Sequence, residues 1–208
     1  MPLICCTATC LCTLLALLVL PLWAPAPTRA SAYQAATCQE LLINGNFEAG
    51  SAGWTQSSAG GYDLISQFNP RTGRWGAYLA GANNADDRLS QPVLLPQDAV
   101  TITLRLWWSL ESEEPPVPAD TLTLSLLQPN GVLLVDLWQV DNTVTLGIWD
   151  EIVIDLKAYA GQSVVVRFQA LSGSFDLTDF YLDDVSVTVC TPVTTINSTW
   201  LPLAMRQR

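Results

Sequence analysis

Between residues 100 and 110 the chain alternates without a fault, with Ile102, Leu104, Leu106 and Trp108 on one side and Thr101, Thr103, Arg105 and Trp107 on the other. A period of two is that of a strand with one face in a core and the other outside it. The same period returns over 120–127 and 132–140, and the intervening Gln128-Pro129-Asn130-Gly131 carries the Pro and Asn-Gly signals of a hairpin. Residues 148–156 turn Ile152, Ile154 and Leu156 inward, and 163–171 do the same with Val164, Val166 and Phe168. Residues 180–190, FYLDDVSVTVC, form a closing strand, and shorter runs at 38–43, 62–68, 77–80 and 89–95 complete the set. Gly- and Ser-rich residues 48–61 around Trp54, GANNADDR at 81–88 and the Pro-rich ESEEPPVPA at 111–119 read as loops. No stretch carries the 3.6-residue period of a helix. About nine strands with turn punctuation predict an all-β sandwich of antiparallel strands.

The ends depart from this pattern. Residues 11–22 are a Leu-rich apolar run, broken by Pro21, Pro25 and Pro27 and followed by Ala30-Ser31-Ala32. That is the order of a secretory signal peptide over 1–32, and the run is too short for a comfortable membrane span of about 20 residues. Its cleavage predicts a secreted or cell-surface protein with no membrane insertion. The domain then covers 33–190, and 191–208 is a Thr-rich linker with a tail, WLPLAMRQR, that resembles aromatic-Leu-Pro tails of some secreted bacterial proteins but lacks LPxTG. Asn197-Ser198-Thr199 fits a glycosylation sequon.

Half of the chain is hydrophobic, so a large core is available. The net charge of −10, which becomes −11 once Arg29 leaves with the leader, repels phosphate backbones and anionic lipid and argues against a nucleic-acid partner. Cys5, Cys6, Cys10 and Cys12 belong to the leader, leaving Cys38 and Cys190 as a predicted disulfide, with a shared metal or two free thiols as alternatives.

Candidate chemistry starts from Asp183 and Asp184. Two adjacent carboxylates inside an apolar strand require a cation or many hydrogen-bond donors. One reading is a metal ion with Glu48 as third acid; the other is a β-bulge whose carboxylates accept backbone N–H groups. Asp86 and Asp87 read as a loop face turned to water. Catalysis has little to work with: there is no histidine, so Ser-His-Asp and Cys-His mechanisms are absent, and Gly161-Gln162-Ser163 lacks the second glycine of a nucleophile elbow. Glu111, Glu113 and Glu114 read as a solvated cluster. The side of the middle strands that faces away from the core offers Arg105, Trp107, Asp136, Trp138, Arg167 and Gln169. Flat rings for sugar faces and bidentate polar groups for hydroxyls make these the candidate ligand-binding residues, against the alternative that the tryptophans are packing. Trp54, Trp75 and Trp149 read as core or rim.

At this point LLINGNFEAGSAGWTQSS resembles the opening of jelly-roll modules of the galactose-binding-like group, which includes many carbohydrate-binding modules. The stretch from GAYLAGANNADDRLSQPVLLP through WDEIVIDLKAYAGQSVVVRFQA to FYLDDVSVTVC is similar to the MAM-like jelly rolls of secreted bacterial peptidases and adhesins. The resemblance covers roughly 38–190. It implies an antiparallel jelly roll, a non-catalytic binding or adhesion module for a glycan or an extracellular protein, and a structural calcium ion. Glu48, with Asp183 or Asp184, matches the acids of that calcium site, and Asn46 with backbone carbonyls would complete the shell. The alternative is a structural or assembly protein of the cell envelope without a glycan ligand.

Overall fold

The computed structural model describes residues 36–144 and 147–193; the leader, Asn197 and all of the tail beyond Val193 lie outside the described residues. Eleven strands are present rather than about nine: β1 Ala36–Glu40, β2 Thr55–Ser58, β3 Ile65–Ser66, β4 Gly76–Leu79, β5 Asp86–Leu94, β6 Thr101–Ser112, β7 Thr121–Leu127, β8 Leu133–Asp141, β9 Asp150–Asp155, β10 Ser163–Leu171 and β11 Thr178–Pro192. Strand β2 falls in the stretch read as a loop, and the run at 62–68 contracts to the two residues of β3. The single helical turn among the described residues is a 3-10 turn at Lys157–Tyr159.

The strands form two antiparallel sheets, which makes the chain a jelly-roll sandwich. One is five-stranded, in the order β2-β5-β10-β7-β8; the other is six-stranded, in the order β3-β4-β11-β6-β9, with β1 also on β11. Strand β11 pairs with β6 along its length, and its other edge is shared by β4 at Phe180–Leu182 and by β1 at Thr188–Pro192. In that last register Cys38 lies opposite Cys190, and the two form the expected disulfide. It closes a separation of 152 residues, which in the chain-entropy picture contributes about 5 kcal/mol.

The core follows the alternation. Ile102, Leu104 and Leu106 of β6 and Phe180 and Leu182 of β11 meet Leu122, Leu124 and Leu126 of β7 and Val166 and Phe168 of β10, all fully buried. Phe47, Trp54 and Leu64 are buried alongside them and join the same apolar cluster. In β11 the inward positions change parity, from Phe180 and Leu182 to Val185, Val187 and Val189. A bulge between Asp183 and Ser186, with Asp184 at φ 48°, makes that change possible. Without it, either the first or the second half of the strand would point its apolar side chains at water.

The sequence expectation for GANNADDR holds over 81–85 and is overturned for Asp86, Asp87 and Arg88. Asp86 and Asp87 begin strand β5, and Asp87 is completely buried, accepting hydrogen bonds from the Ala80 N–H (2.9 Å) and the Tyr62 hydroxyl (3.1 Å). An isolated charged pair after two asparagines resembles a loop, but the β5 alternation runs straight through it.

Candidate functional site

The acids at the two ends of the domain come first. Asn44 organises the opening motif: its side chain accepts the Ala49 N–H at 2.9 Å and donates to the carbonyls of Gly50 and Ala52, and its own carbonyl takes the Trp54 indole N–H at 2.9 Å. Gly45 is required because a Cβ there would collide with the Val185 carbonyl, and its own carbonyl accepts the Val185 N–H at 2.9 Å. Glu48 then reaches the segment before β4, where its Oε1 accepts the N–H groups of Arg74 (2.7 Å) and Trp75 (2.9 Å). These bonds hold its carboxyl below the usual range. Gly73, at φ +64°, leaves the space that the Glu48 carboxylate occupies.

Asp183 binds the same segment from the other side. It is fully buried and accepts N–H groups from Arg71 (2.9 Å), Thr72 (3.0 Å) and Asp184 (2.7 Å). Burial nonetheless pushes its carboxyl up to about 6. Asp184 pairs with the Arg71 guanidinium at 2.6 Å and accepts the Thr72 hydroxyl. Asn46 is not part of this arrangement; its Oδ1 accepts only the Glu48 N–H, at 3.4 Å. A fourth acid, Glu40, is missing from the sequence reading: it accepts the Leu41, Leu42 and Val187 N–H groups and ties β1 to β11.

Calcium would need six to eight oxygens turned toward one point. Here the oxygens of Glu48, Asp183 and Asp184 are turned toward backbone N–H groups, a hydroxyl and a guanidinium, all of them donors that repel a cation. Among the described residues no three acidic, cysteine or histidine side chains are placed to hold one ion. Asn46, Glu48, Asp183 and Asp184 therefore do not fit a calcium cage. Glu48, Asp183 and Asp184 instead nail down residues 71–75 as a strap over the outer face of the six-stranded sheet. The strap lays the Arg71 guanidinium 3.7 Å above the Trp107 ring and follows Phe68, which packs on Tyr78 and Tyr181.

The six candidate ligand residues do not share a face. Arg105 and Trp107 lie on β6, on the outside of the six-stranded sheet; Trp107 is capped by Arg71, and Arg105 is paired with Glu151 at 2.9 Å. Asp136 on β8 and Arg167 and Gln169 on β10 lie outside the five-stranded sheet. Trp138 points inward, 5.0 Å from Trp108 between ring centres, and packs against the core. The reason is a bulge: Ser125 pairs with Asp136 but Leu124 pairs with Trp138, so Leu137 is an extra residue and the strand alternation resets there.

The outer face of the five-stranded sheet is left as the open chemical surface. Strand registers place Thr55, Ser90, Arg167, Ser125 and Asp136 side by side in one row across all five strands. A second polar row holds Ser57, Arg88, Gln169, Thr123 and Gln139. On the opposite flank of the first row lies an apolar one, Pro92, Val165, Leu127 and Leu133. Strand β7 is its floor, because Ser125 (0% exposed) and Leu127 (6%) are closed off from solvent although they face away from the core. Asp136 accepts the Ser125 hydroxyl at 2.7 Å, and Gln169 donates to Asp86 at 2.8 Å. Arg167 makes no ion pair among the described residues, and its Nε is buried without a hydrogen-bond partner.

No family model matches the chain, and no curated protein matches it. Among solved structures it is similar to the carbohydrate-binding module TmCBM61 in complex with β-1,4-galactotriose, at 18% identity and a TM-score of 0.51 over 72% of this chain and 97% of that one. It also matches a family 16 carbohydrate-binding module, at 20% identity and a TM-score of 0.47 over 71% and 98% of the two chains. The K3 cleaved adhesin domain of Lys-gingipain from Porphyromonas gingivalis matches at 18% identity and 0.49 over 72% and 99%. The fold is thus an antiparallel jelly-roll sandwich, shared with TmCBM61.

Proposed function

We propose that the protein is a non-catalytic glycan-binding module and that its binding surface is the outer face of the five-stranded sheet. The observation that carries this is the central polar row with Arg167 in its middle, a guanidinium with a buried, unpartnered Nε and no ion pair among the described residues, across Ser125 from Asp136 and next to an apolar row. A buried donor without a partner is costly in a protein that has no use for it. A sugar supplies both halves of what this face lacks: hydroxyls for Arg167, Asp136 and Gln169, and C–H surface for Val165 and Leu133. The fold is that of a module solved with a galactose trisaccharide, which supports the same class of ligand. The disulfide fits a protein working outside the cell, secreted or on its surface.

The test is retention in gels containing soluble galactan, xylan or mixed-linkage β-glucan. We expect retardation by at least one of them, abolished in Arg167→Ala and reduced in Asp136→Ala, with thermal melting within about 1–2 °C of the parent. Equal retention of parent and Arg167→Ala would move the site off this face. No retention of the parent on any polysaccharide would leave the envelope-assembly alternative in its place.

A further inference from the structure

The boundary between the two central rows says more about the ligand than either row alone. It runs across the sheet at right angles to the strands, with the apolar member two residues from the polar one on β5 (Pro92, Ser90), β10 (Val165, Arg167) and β7 (Leu127, Ser125). On β8 the step is three, Leu133 to Asp136, because a bulge intervenes. Two residues along a strand are about 7 Å, close to the width of a pyranose ring. A ring seated on the boundary therefore has one edge over Arg167, Ser125 and Asp136 and the opposite edge over Val165, Leu127 and Leu133.

In a pyranose the edge opposite C2 and C3 carries C5 and its substituent. When the C2 and C3 hydroxyls meet Arg167 and Asp136, the C5 substituent falls on the aliphatic row. A hydroxymethyl group there meets Val165 and Leu133 above the buried Leu127, aliphatic side chains that offer neither donor nor acceptor, and its oxygen gives up hydrogen bonds to water without replacement. A methyl group loses nothing and gains contact. The row has no aromatic ring, so what it rewards is a small aliphatic group rather than a whole sugar face.

We infer that the face selects 6-deoxyhexoses, sugars with a methyl group at C5, within the glycan it binds. This rests on reading the five-stranded face as the glycan site and adds which sugar occupies its centre.

The experiment is an NMR titration of the protein with matched sugars that differ only by the oxygen at C6: L-rhamnose against L-mannose, L-fucose against L-galactose, and D-fucose against D-galactose. In at least one pair the deoxy member should bind about tenfold more tightly, in line with the modest discrimination an aliphatic surface achieves against an added hydroxyl. Val165→Thr and Leu133→Thr, each placing a hydroxyl in the row, should shrink that ratio toward one, while Arg167→Ala weakens both members of the pair alike. Equal affinities within all three pairs, a preference for the hydroxymethyl member, or no response to any of the six sugars would overturn the inference. If polysaccharide retention still depends on Arg167 in those cases, the glycan reading stands and only the deoxy preference falls; if retention is also absent, both fall.

Discussion

The two outer faces of the sandwich treat polar groups in opposite ways. On the six-stranded side the charges around the strap are used: Asp183 accepts three N–H groups, Asp184 and Trp107 share Arg71, and Arg105 holds Glu151. On the five-stranded side Asp86 pairs with Arg88 and accepts from Gln169 and Asp136 accepts from Ser125, but the row between them centres on Arg167, whose Nε has no partner among the described residues. Satisfied polar groups contribute to stability and have no capacity left for a ligand. Open ones cost a little stability and supply recognition. Charge density alone would have placed function on the strap, where it is least available.

The strongest way to break the contrast is Asp183→Ala. It removes the acceptor of three N–H groups at a fully buried position, each worth about 1 kcal/mol or more when left unpaired. A loss of about 3 kcal/mol corresponds to a fall of roughly 10 °C in Tm for a chain of this size. Polysaccharide retention measured well below that Tm should be unchanged. If retention were lost while the protein remained folded, the two faces would be coupled and the division wrong.

Arg71→Ala should do less. The ion pair with Asp184 is part-exposed, and the stacking on Trp107 adds about 0.5–1 kcal/mol, so a total near 1 kcal/mol and a Tm lower by roughly 2–4 °C follow. Arg71→Lys restores the charge but not the planar contact, and should recover only part of the loss. Intrinsic fluorescence would report the uncapping of Trp107.

How far the sequence carried can be traced residue by residue. Strands β6 and β10 are legible because their alternation is unbroken, and of the two readings of the DD motif the bulge with carboxylates accepting backbone N–H groups is the one whose bonds are present. Trp138 was misplaced because a bulge is a backbone event: LLVDLWQV alternates as well with Leu137 counted as without it. Alternation turns Arg105 and Arg167 both outward but does not say which sheet each strand joins, which long-range pairing decides. Ser90, Ser125 and Thr55 gave no signal. They become a row only when four registers bring them together.

A pH profile sharpens the contrast further. Asp183 is raised by burial, so it favours the folded state when protonated; that contribution is complete below its ordinary value of 3.8 and is lost as pH rises through about 6. Glu48 is lowered by its N–H bonds with Trp75 and Arg74, so its contribution is present above its ordinary 4.5 and lost as pH falls. The Tm should therefore peak in acidic solution near pH 4, between about 3.8 and 4.5, and fall as pH rises through about 6. Repulsion within an acidic chain also favours that range, but only the Asp183 part should vanish in Asp183→Asn, whose melting should change less between pH 5 and 7 than the parent's. Identical slopes for the two would remove Asp183 as the cause.

The smallest expected effect is that of calcium, and it bears most directly on why the strap face is closed. A cation competing for Glu48, Asp183 and Asp184 would have to displace five backbone N–H bonds and the Arg71 guanidinium, and would recover only the oxygens that those donors already satisfy. A chelator should therefore leave Tm unchanged, and millimolar calcium should raise it by no more than about 1 °C through general screening of an acidic surface. Glu48→Gln keeps one carbonyl oxygen to accept the Arg74 and Trp75 N–H groups and removes the charge a cation needs. If the strap is held by hydrogen bonds, that variant melts close to the parent with or without calcium, whereas a calcium-dependent rise in the parent that disappears in Glu48→Gln would make the acids a metal site and turn the satisfied face into a ligand-dependent one.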